Sequence, residues 1–218
     1  AELRAPSRPS GAAAGALRRG ARKELCVLLP ATDANAKQVN RAQATVATWA
    51  KPYLFGRRRR GESAVAVLYS REPLAPAWED ATLSLPGDVD LRHPKFNALR
   101  FLYLWATVAT HHTEHCDFFM KADMDAYVNV PALLHKLQGF NASETVYAGM
   151  LVHAHGPGYE QWNQFAHGGG GYVLSRGALV AARGRLLVCL EQVATVRLET
   201  IEDMALAACL RKVNVRPQ

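Results

Sequence analysis

The sequence predicts an α/β fold in which helices cover both faces of one sheet. Three apolar runs, at residues 25–29, 64–69 and 118–120, have the length of short buried strands. Runs that are apolar at almost every position are typical of interior strands, because both of their faces pack against other elements. Between the second and third runs, residues 94–111 predict a long helix whose apolar middle must be buried on several sides. We therefore expect one domain built on a single, mixed sheet.

The remaining elements follow from spacing and from turn residues. Apolar positions between residues 39 and 50 recur at helical spacing and put Trp49 on the buried face of a helix. The Val-Pro pair at residues 130–131 begins a further helix, since proline is favoured in a first turn. Strands are also expected at residues 82–85, 146–152 and 172–174, and a last helix at residues 204–210. The four glycines at residues 168–171 allow backbone to approach a ligand closely.

The positive charge of the chain is confined to its N-terminus and one basic run. The formal net charge is +7, but residues 1–23 and the arginines at 57–60 carry more than this total, so the remainder is net acidic. Nucleic-acid-binding domains usually spread basic residues over one folded face, so we do not expect nucleic acid as a partner. Residues 1–23 have the composition of a flexible linker, which leaves residues 24–218 for the folded domain. The longest apolar run, residues 101–109, is too short to cross a bilayer.

Two carboxylates follow the predicted strand at residues 118–120. In an extended chain, side chains two residues apart share a face, so Asp123 and Asp125 would face one site while Met124 points into the protein. Ligands of α/β sheets bind beyond the carboxyl ends of the strands. Oxygen ligands suit a hard cation such as Mg²⁺ or Mn²⁺, usually shared with the phosphates of a nucleotide. The alternative for an isolated Asp-x-Asp is an aspartate turn without a ligand.

Four segments, in order along the chain, carry a resemblance to a known family. They are Ala-Thr-Trp-Ala at 47–50, Phe-Phe-Met-Lys-Ala-Asp-Met-Asp-Ala-Tyr-Val-Asn-Val at 118–130, Gly-Gly-Gly-Gly-Tyr-Val-Leu-Ser at 168–175, and Ile-Glu-Asp-Met-Ala-Leu-Ala-Ala-Cys at 201–209. With them, nearly the whole chain resembles the β-1,3-glycosyltransferase family that contains the core 1 galactosyltransferases and the Fringe proteins. Met124 stands where many relatives have a third aspartate, and we expect its side chain to face away from the metal.

The resemblance implies a GT-A glycosyltransferase fold and an inverting transfer of a sugar from a UDP-sugar to a glycan or glycoprotein hydroxyl, in β-1,3 linkage. UDP-galactose is the first expected donor and UDP-GlcNAc the second. Asp125 would hold Mn²⁺ or Mg²⁺, with Asp123 at the ribose or in the metal's shell, and Asp203 would be the catalytic base. The residues expected at the donor are Thr32, Asp33, Arg100, Asp123, Asp125, Gly169 and Gly170, and those expected at the acceptor are Tyr159, Trp162 and Glu202.

Several of these assignments have a structural alternative. Thr32 and Asp33 follow the first strand and would also serve as a helix cap. Carboxylates such as Glu202 and Asp203 in a first helical turn are favoured by the helix dipole without any role in catalysis. The dipole also makes Asp203 a weaker base, so bound substrate would have to desolvate it.

The cysteines and one sequon favour the secretory pathway. Cys189 and Cys209 are placed like the C-terminal disulfide of the family, with two buried free thiols as the alternative, whereas the pairing of Cys26 and Cys116 depends on a distance that the sequence does not give. Asn141 begins an N-glycosylation sequon, Asn-Ala-Ser. Relatives are typically Golgi proteins with an N-terminal anchor and a stem, so the resemblance implies a type II, Golgi-luminal domain with residues 1–23 as the stem remnant. A homodimer is left open.

Two other functions fit parts of the sequence. Relatives supply a metal-binding histidine from a C-terminal continuation, so Met124 and the lack of that ligand favour an inactive glycosyltransferase-like subunit or chaperone, with weak metal affinity, as the alternative. Haloacid dehalogenase phosphatases also carry Asp-x-Asp after an apolar strand, but on their first strand. Here two predicted strands and a long helix precede the pair.

Overall fold

The computed structural model describes residues 23–31, 36–54, 63–70, 74–84, 96–153, 164–193 and 201–218. Its strands are β1 (Leu25–Pro30), β2 (Ala64–Ser70), β3 (Thr82–Ser84), β4 (Phe118–Lys121), β5 (Tyr147–Gly149), β6 (Leu151–Val152), β7 (Phe165–Ala166) and β8 (Tyr172–Ser175). Its α-helices are α1 (Ala36–Thr45), α2 (Phe96–His111), α3 (Val130–Leu137), α4 (Arg176–Val193) and α5 (Glu202–Arg211). A π-helical turn, Val46–Ala50, continues α1. The predicted stem, residues 1–23, lies outside the described residues except for its last position.

One mixed sheet of six strands forms the centre of the molecule, in the order β3-β2-β1-β4-β8-β5. Strands β3, β2, β1 and β4 run parallel, and β8 is antiparallel to both β4 and β5. Strand β4 is therefore interior, as the apolar run Phe118 to Met120 predicts, and the α/β expectation is confirmed. Because β4 lies between β1 and β8, the segment that follows it opens at the middle of the sheet edge where ligands bind in such folds.

Helices cover both faces of this sheet and bury two apolar clusters. Helices α2, α4 and α5 pack on one face around the fully buried Trp105, and α1 with its π-turn packs with α3 on the other face. Trp49 lies in the second cluster at 6% exposure, as its helical spacing predicts, and its Nε1 donates to the carbonyl of Ala126. The core therefore also braces the loop that carries the carboxylate pair.

The prediction of one strand at residues 146–152 is wrong. The chain leaves the main sheet after β5, and β6 pairs with β7 in a separate two-stranded sheet. Gly149 permits this change of partner, because a Cβ there would stand 2.9 Å from Ala166 and 3.0 Å from Tyr172. Met150, between the two strands, is 55% exposed.

Two disulfides join distant parts of the chain. Cys189 in α4 is bonded to Cys209 in α5, which confirms that predicted pairing. Cys26 in β1 is bonded to Cys116 just before β4, with their Cα atoms 5.8 Å apart. Disulfides of this kind persist in oxidising compartments, which indicates a secretory-pathway location. Among the helices that the structure describes, none combines the length and the apolar character needed to span a membrane.

Candidate active site

The chain turns as soon as it leaves β4, and this turn carries the two predicted carboxylates. The amide of Ala126 donates to the carbonyl of Asp123 at 3.0 Å, and Thr45 donates to the carbonyl of Met124. The extended geometry assumed for Asp123 and Asp125 is therefore wrong, because contacts with α1 and its π-turn fold the segment back. Met124 is 7% exposed and lies in the core, as expected.

Asp123 and Asp125 face different protein cations. Asp123 Oδ1 lies 2.8 Å from the ammonium of Lys121, and Asp125 Oδ2 lies 3.2 Å from the guanidinium of Arg41 on α1. The side chain of Asp123 is 33% exposed and that of Asp125 is 55% exposed. Both carboxylates can therefore still be reached from solvent.

Lys121 is the best-connected side chain of the site. It ends β4, its side chain is only 2% exposed, and its Nζ lies 2.6 Å from Glu202 Oε1 in addition to Asp123. A third, longer bond goes to the carbonyl of Gly168 at 3.3 Å. The rings of Phe101 and Tyr172 stand 4.8 Å and 5.9 Å from the ammonium. An ammonium has three donors, so all of them are used.

The start of α5 places Glu202 and Asp203 against the glycine segment, residues 168–171. Asp203 is 6% exposed; its Oδ2 accepts from the amide of Gly168 at 2.7 Å and its Oδ1 from the amide of Met204 at 2.8 Å. Glu202 Oε2 accepts from the hydroxyl of Tyr172 at 3.1 Å, and that hydroxyl accepts from Trp105 Nε1 at 3.0 Å. The helix-dipole account of the two acids is therefore incomplete, since both make specific bonds to other elements.

Gly168 is the glycine that this arrangement requires. A Cβ at Gly168 would clash with Glu202 Oε1 and stand 3.0 Å from Lys121 Nζ. A Cβ at Gly169 would stand 2.9 Å from the ring of His167 and 4.0 Å from Asp123 Oδ2, and one at Gly170 would be in ordinary contact with Met150. Gly169 is thus beside the first carboxylate, as its donor assignment needs, and Gly170 is further out.

Burial and charge act against each other across this cluster. Burial raises the pKa of Glu202, and Lys121 only partly offsets that effect. Burial alone would lower the pKa of Lys121, but Glu202 and Asp123 outweigh it and the pKa is raised. Burial lowers the pKa of Arg100, and interactions with Tyr69, Glu202 and Asp123 oppose that shift. Lys121 is therefore held firmly as a cation.

The structure brings together most of the described residues that the sequence assigns to the site. Beyond the carboxyl end of β4 the structure brings together Asp123, Gly169, Glu202 and Asp203. Arg100 on α2 interacts electrostatically with Asp123 and Glu202. Asp125 lies at the rim with Arg41. The donor candidates Thr32 and Asp33 and the acceptor candidates Tyr159 and Trp162 lie outside the described residues, as does the basic run at 57–60.

Three residues of the site, Lys121, Tyr172 and Arg41, are not among those predicted from the sequence. One signal was available for Lys121: it precedes Asp123 by two residues, the same spacing that was used to pair Asp123 with Asp125. Tyr172 stands in the resembling segment at 168–175, but its contact with Glu202, like that of Arg41 with Asp125, depends on how separate elements pack.

The donor set of the carboxylate turn fits a hard divalent cation. Within the described part of the chain, no three His, Cys, Asp or Glu side chains stand close enough together to hold a metal ion by themselves. Magnesium-type sites, however, usually take one or two carboxylates and complete their shell with substrate phosphates and water. Asp123 and Asp125 supply two carboxylates of this kind, the first partly exposed and the second exposed.

Comparison with known proteins identifies the family to which this site belongs. A family profile described as Fringe-like matches residues 98–218, which include β4, the carboxylate turn, the glycine segment and α5. The chain is also 27% identical over 184 residues to chondroitin sulfate synthase 3 of Mus musculus. That match covers 79% of the chain but only 19% of the relative, so the chain spans about a fifth of the length of the curated protein that it matches.

Proposed function

The chain belongs to the Fringe-like family of glycosyltransferases, whose fold is GT-A, and from this premise we propose that it transfers a sugar from UDP to a hydroxyl group of a glycan or glycoprotein with inversion, forming a β-1,3 bond. One observation carries the proposal: the buried ammonium of Lys121 lies 2.8 Å from Asp123 and 2.6 Å from Glu202. Lys121 thus contacts both Asp123, which is assigned to the donor, and Glu202, which is assigned to the acceptor and precedes Asp203.

Asp203 is the proposed general base. The acceptor oxygen attacks the anomeric carbon, the bond from that carbon to the diphosphate breaks, UDP leaves, and the proton of the acceptor hydroxyl passes to Asp203. Each oxygen of this carboxylate accepts one backbone N–H bond. These bonds fix the orientation of the carboxylate, and its remaining lone pairs can still take the proton.

The donor is assigned to the carboxylate turn and its surroundings. Asp125 and Asp123 would hold Mn²⁺ or Mg²⁺, and the bound cation would supply charge neutralisation for the diphosphate leaving group. Arg100 offers a guanidinium that can pair with a phosphate oxygen. Thr32, Asp33, Gly169 and Gly170 complete the proposed donor site. UDP-galactose remains the first choice of donor and UDP-GlcNAc the second, with Tyr159, Trp162 and Glu202 facing the acceptor.

The test of this proposal is UDP binding measured by calorimetry, followed by transfer with a panel of UDP-sugars. UDP should bind only when Mn²⁺ or Mg²⁺ is present. Asp125→Ala should abolish this metal-dependent binding of UDP, because too few oxygens would remain for a hard cation. Glu144→Ala, which also removes an exposed carboxylate, here one bonded to Asn141, is the control and should bind as wild type does. If Asp125→Ala also binds UDP and metal like wild type, the metal assignment is wrong.

A second candidate is a catalytically inactive glycosyltransferase-like subunit or chaperone. The favouring observation is that both carboxylates of the turn already pair with protein cations, Lys121 and Arg41. Such a protein would bind no UDP in a metal-dependent way and would transfer no sugar from any donor.

The proposed location is the Golgi lumen, in a protein anchored as a type II membrane protein. The two disulfides support an oxidising compartment. The finer assignment to the Golgi comes from the family resemblance alone.

A further inference from the structure

We propose that Lys121 is a positioning residue that couples the donor side of the site to the acceptor side, by sharing one buried ammonium between Asp123 and Glu202. The inference rests on the proposed function, since it concerns the same site. It adds a residue that the assignments above leave without a role.

The first argument is charge. A buried lysine needs one counter-ion, and here two carboxylates lie within 3 Å of its Nζ, at 2.8 Å and 2.6 Å. Neutralising Lys121 would require only one of them. Both carboxylates also interact electrostatically with the buried guanidinium of Arg100, so the two cations and the two carboxylates form one charge cluster that joins Asp123 to Glu202 through Lys121.

The second argument is the unequal surroundings of the two carboxylates. Glu202 is fixed on both oxygens, by Lys121 and by Tyr172, and its side chain is 13% exposed. Asp123 is bonded to Lys121 through Oδ1 and is 33% exposed, so it can also contact a ligand. Glu202 is therefore the fixed end of the network around Lys121, and Asp123 is the end that a ligand can reach.

The third argument is the rigidity of the lysine. Lys121 is the last residue of an interior strand, and its ammonium also bonds the carbonyl of Gly168. The rings of Phe101 and Tyr172 lie close to the ammonium. Because the ammonium cannot move away, a change at one carboxylate alters the strength with which it holds the other.

This coupling predicts an effect of Glu202 on donor binding, although Glu202 is assigned to the acceptor. In Glu202→Gln the ammonium loses one of its two charged partners and holds Asp123 more strongly, so it competes better with a cation for that carboxylate. Metal-dependent UDP affinity should therefore weaken by about five- to tenfold, at the lower end of ordinary coupling between sites.

The decisive test is a double-mutant cycle of Lys121→Met with Glu202→Gln, read by calorimetric binding of UDP in the presence of Mn²⁺. Methionine keeps an unbranched apolar stem and removes the charge. If Lys121 transmits the effect, Glu202→Gln should weaken UDP binding in the wild-type background and leave it unchanged in the Lys121→Met background. Lys121→Met should also slow sugar transfer by about a hundredfold, since misplacing a group near the reacting centre by about 1 Å costs a factor of this order.

Matched controls are Glu144→Gln and Lys136→Met, which make the same chemical changes at exposed positions. Both should leave UDP affinity unchanged. The proposal is overturned if Glu202→Gln has no effect on UDP affinity, a result that needs no lysine variant and so does not depend on Lys121→Met folding. It is also overturned if Glu202→Gln weakens binding equally in both backgrounds. If wild type neither binds UDP nor transfers sugar, the proposed function fails and the coupling role fails with it.

Discussion

At the scale of single residues, the geometry of the site requires a glycine at position 168. Gly168→Ala should abolish transfer, because its Cβ would clash with Glu202 Oε1, and that oxygen cannot move aside while Lys121 holds it. Gly184→Ala is the control, since its Cβ would meet nothing within 4 Å and alanine stabilises a helix interior by about 0.5–1 kcal/mol relative to glycine. Activity assays and thermal unfolding of both variants check this. Full activity in Gly168→Ala would show that the network around Lys121 tolerates rearrangement.

The sequence predicts single site residues only where a motif or local spacing marks them. Asp123, Glu202 and Asp203 stand in segments that resemble a family, and the structure brings them together. Lys121 meets Glu202 across 81 residues of chain, and Tyr172 meets it across 30. Such partners depend on which strand lies beside which helix, and no local pattern encodes that. The segment at Asp125 was predicted to be extended for the same reason, because the contacts with α1 and its π-turn that fold it back are not visible in the local sequence.

At the scale of elements, the bond between Cys189 and Cys209 ties α4 to the helix that carries Glu202 and Asp203. Replacing both cysteines by serine should lower the free energy of unfolding by about 3 kcal/mol in the chain-entropy model. It should also reduce transfer, because α5 loses a covalent attachment. Urea unfolding and a transfer assay measure the two effects.

The second disulfide provides the comparison for that prediction. The bond between Cys26 and Cys116 closes a loop of 90 residues, so its loss should cost between about 4 and 5 kcal/mol in the same model. These cysteines lie in β1 and just before β4 and neither is part of α5, so transfer by the folded protein should be kept better than in the Cys189 and Cys209 variant. The opposite order of activities would contradict the role given to α5.

Element prediction was correct where burial alone decides the outcome. The apolar runs that became β1, β2 and β4 are strands because an interior position needs an apolar residue on both faces. The run at residues 146–152 has a similar composition, yet it divides between two sheets at Met150. Its second half pairs with residues 165–166, and a partner that distant leaves no trace in the local sequence.

At the scale of the whole molecule, a secretory-pathway protein should carry a glycan on Asn141. This residue begins the only Asn-x-Ser/Thr in the sequence, is exposed, and accepts bonds at Oδ1 from the amide and hydroxyl of Ser143, at 3.1 Å and 2.8 Å. Protein secreted from a eukaryotic host should lose mass on treatment with an N-glycosidase. Asn141→Gln and Ser143→Ala should both remove that shift, whereas Ser143→Thr should keep it. An unglycosylated, disulfide-bonded wild type would argue against a luminal orientation.

The central claim is that Asp203 takes the proton of the acceptor, and a comparison of Asp203→Asn with Glu202→Gln at saturating UDP-sugar tests it most directly. Asparagine keeps the size and one acceptor oxygen but cannot take a proton at neutral pH, so turnover should fall by about 10²–10⁴-fold, the usual cost of losing a general base. UDP affinity should barely change in Asp203→Asn. Glutamine at position 202 can still bond Lys121 and Tyr172, so turnover there should fall by less than about tenfold. Equal loss in both variants, or a larger loss in Glu202→Gln, would contradict the assignment of the base.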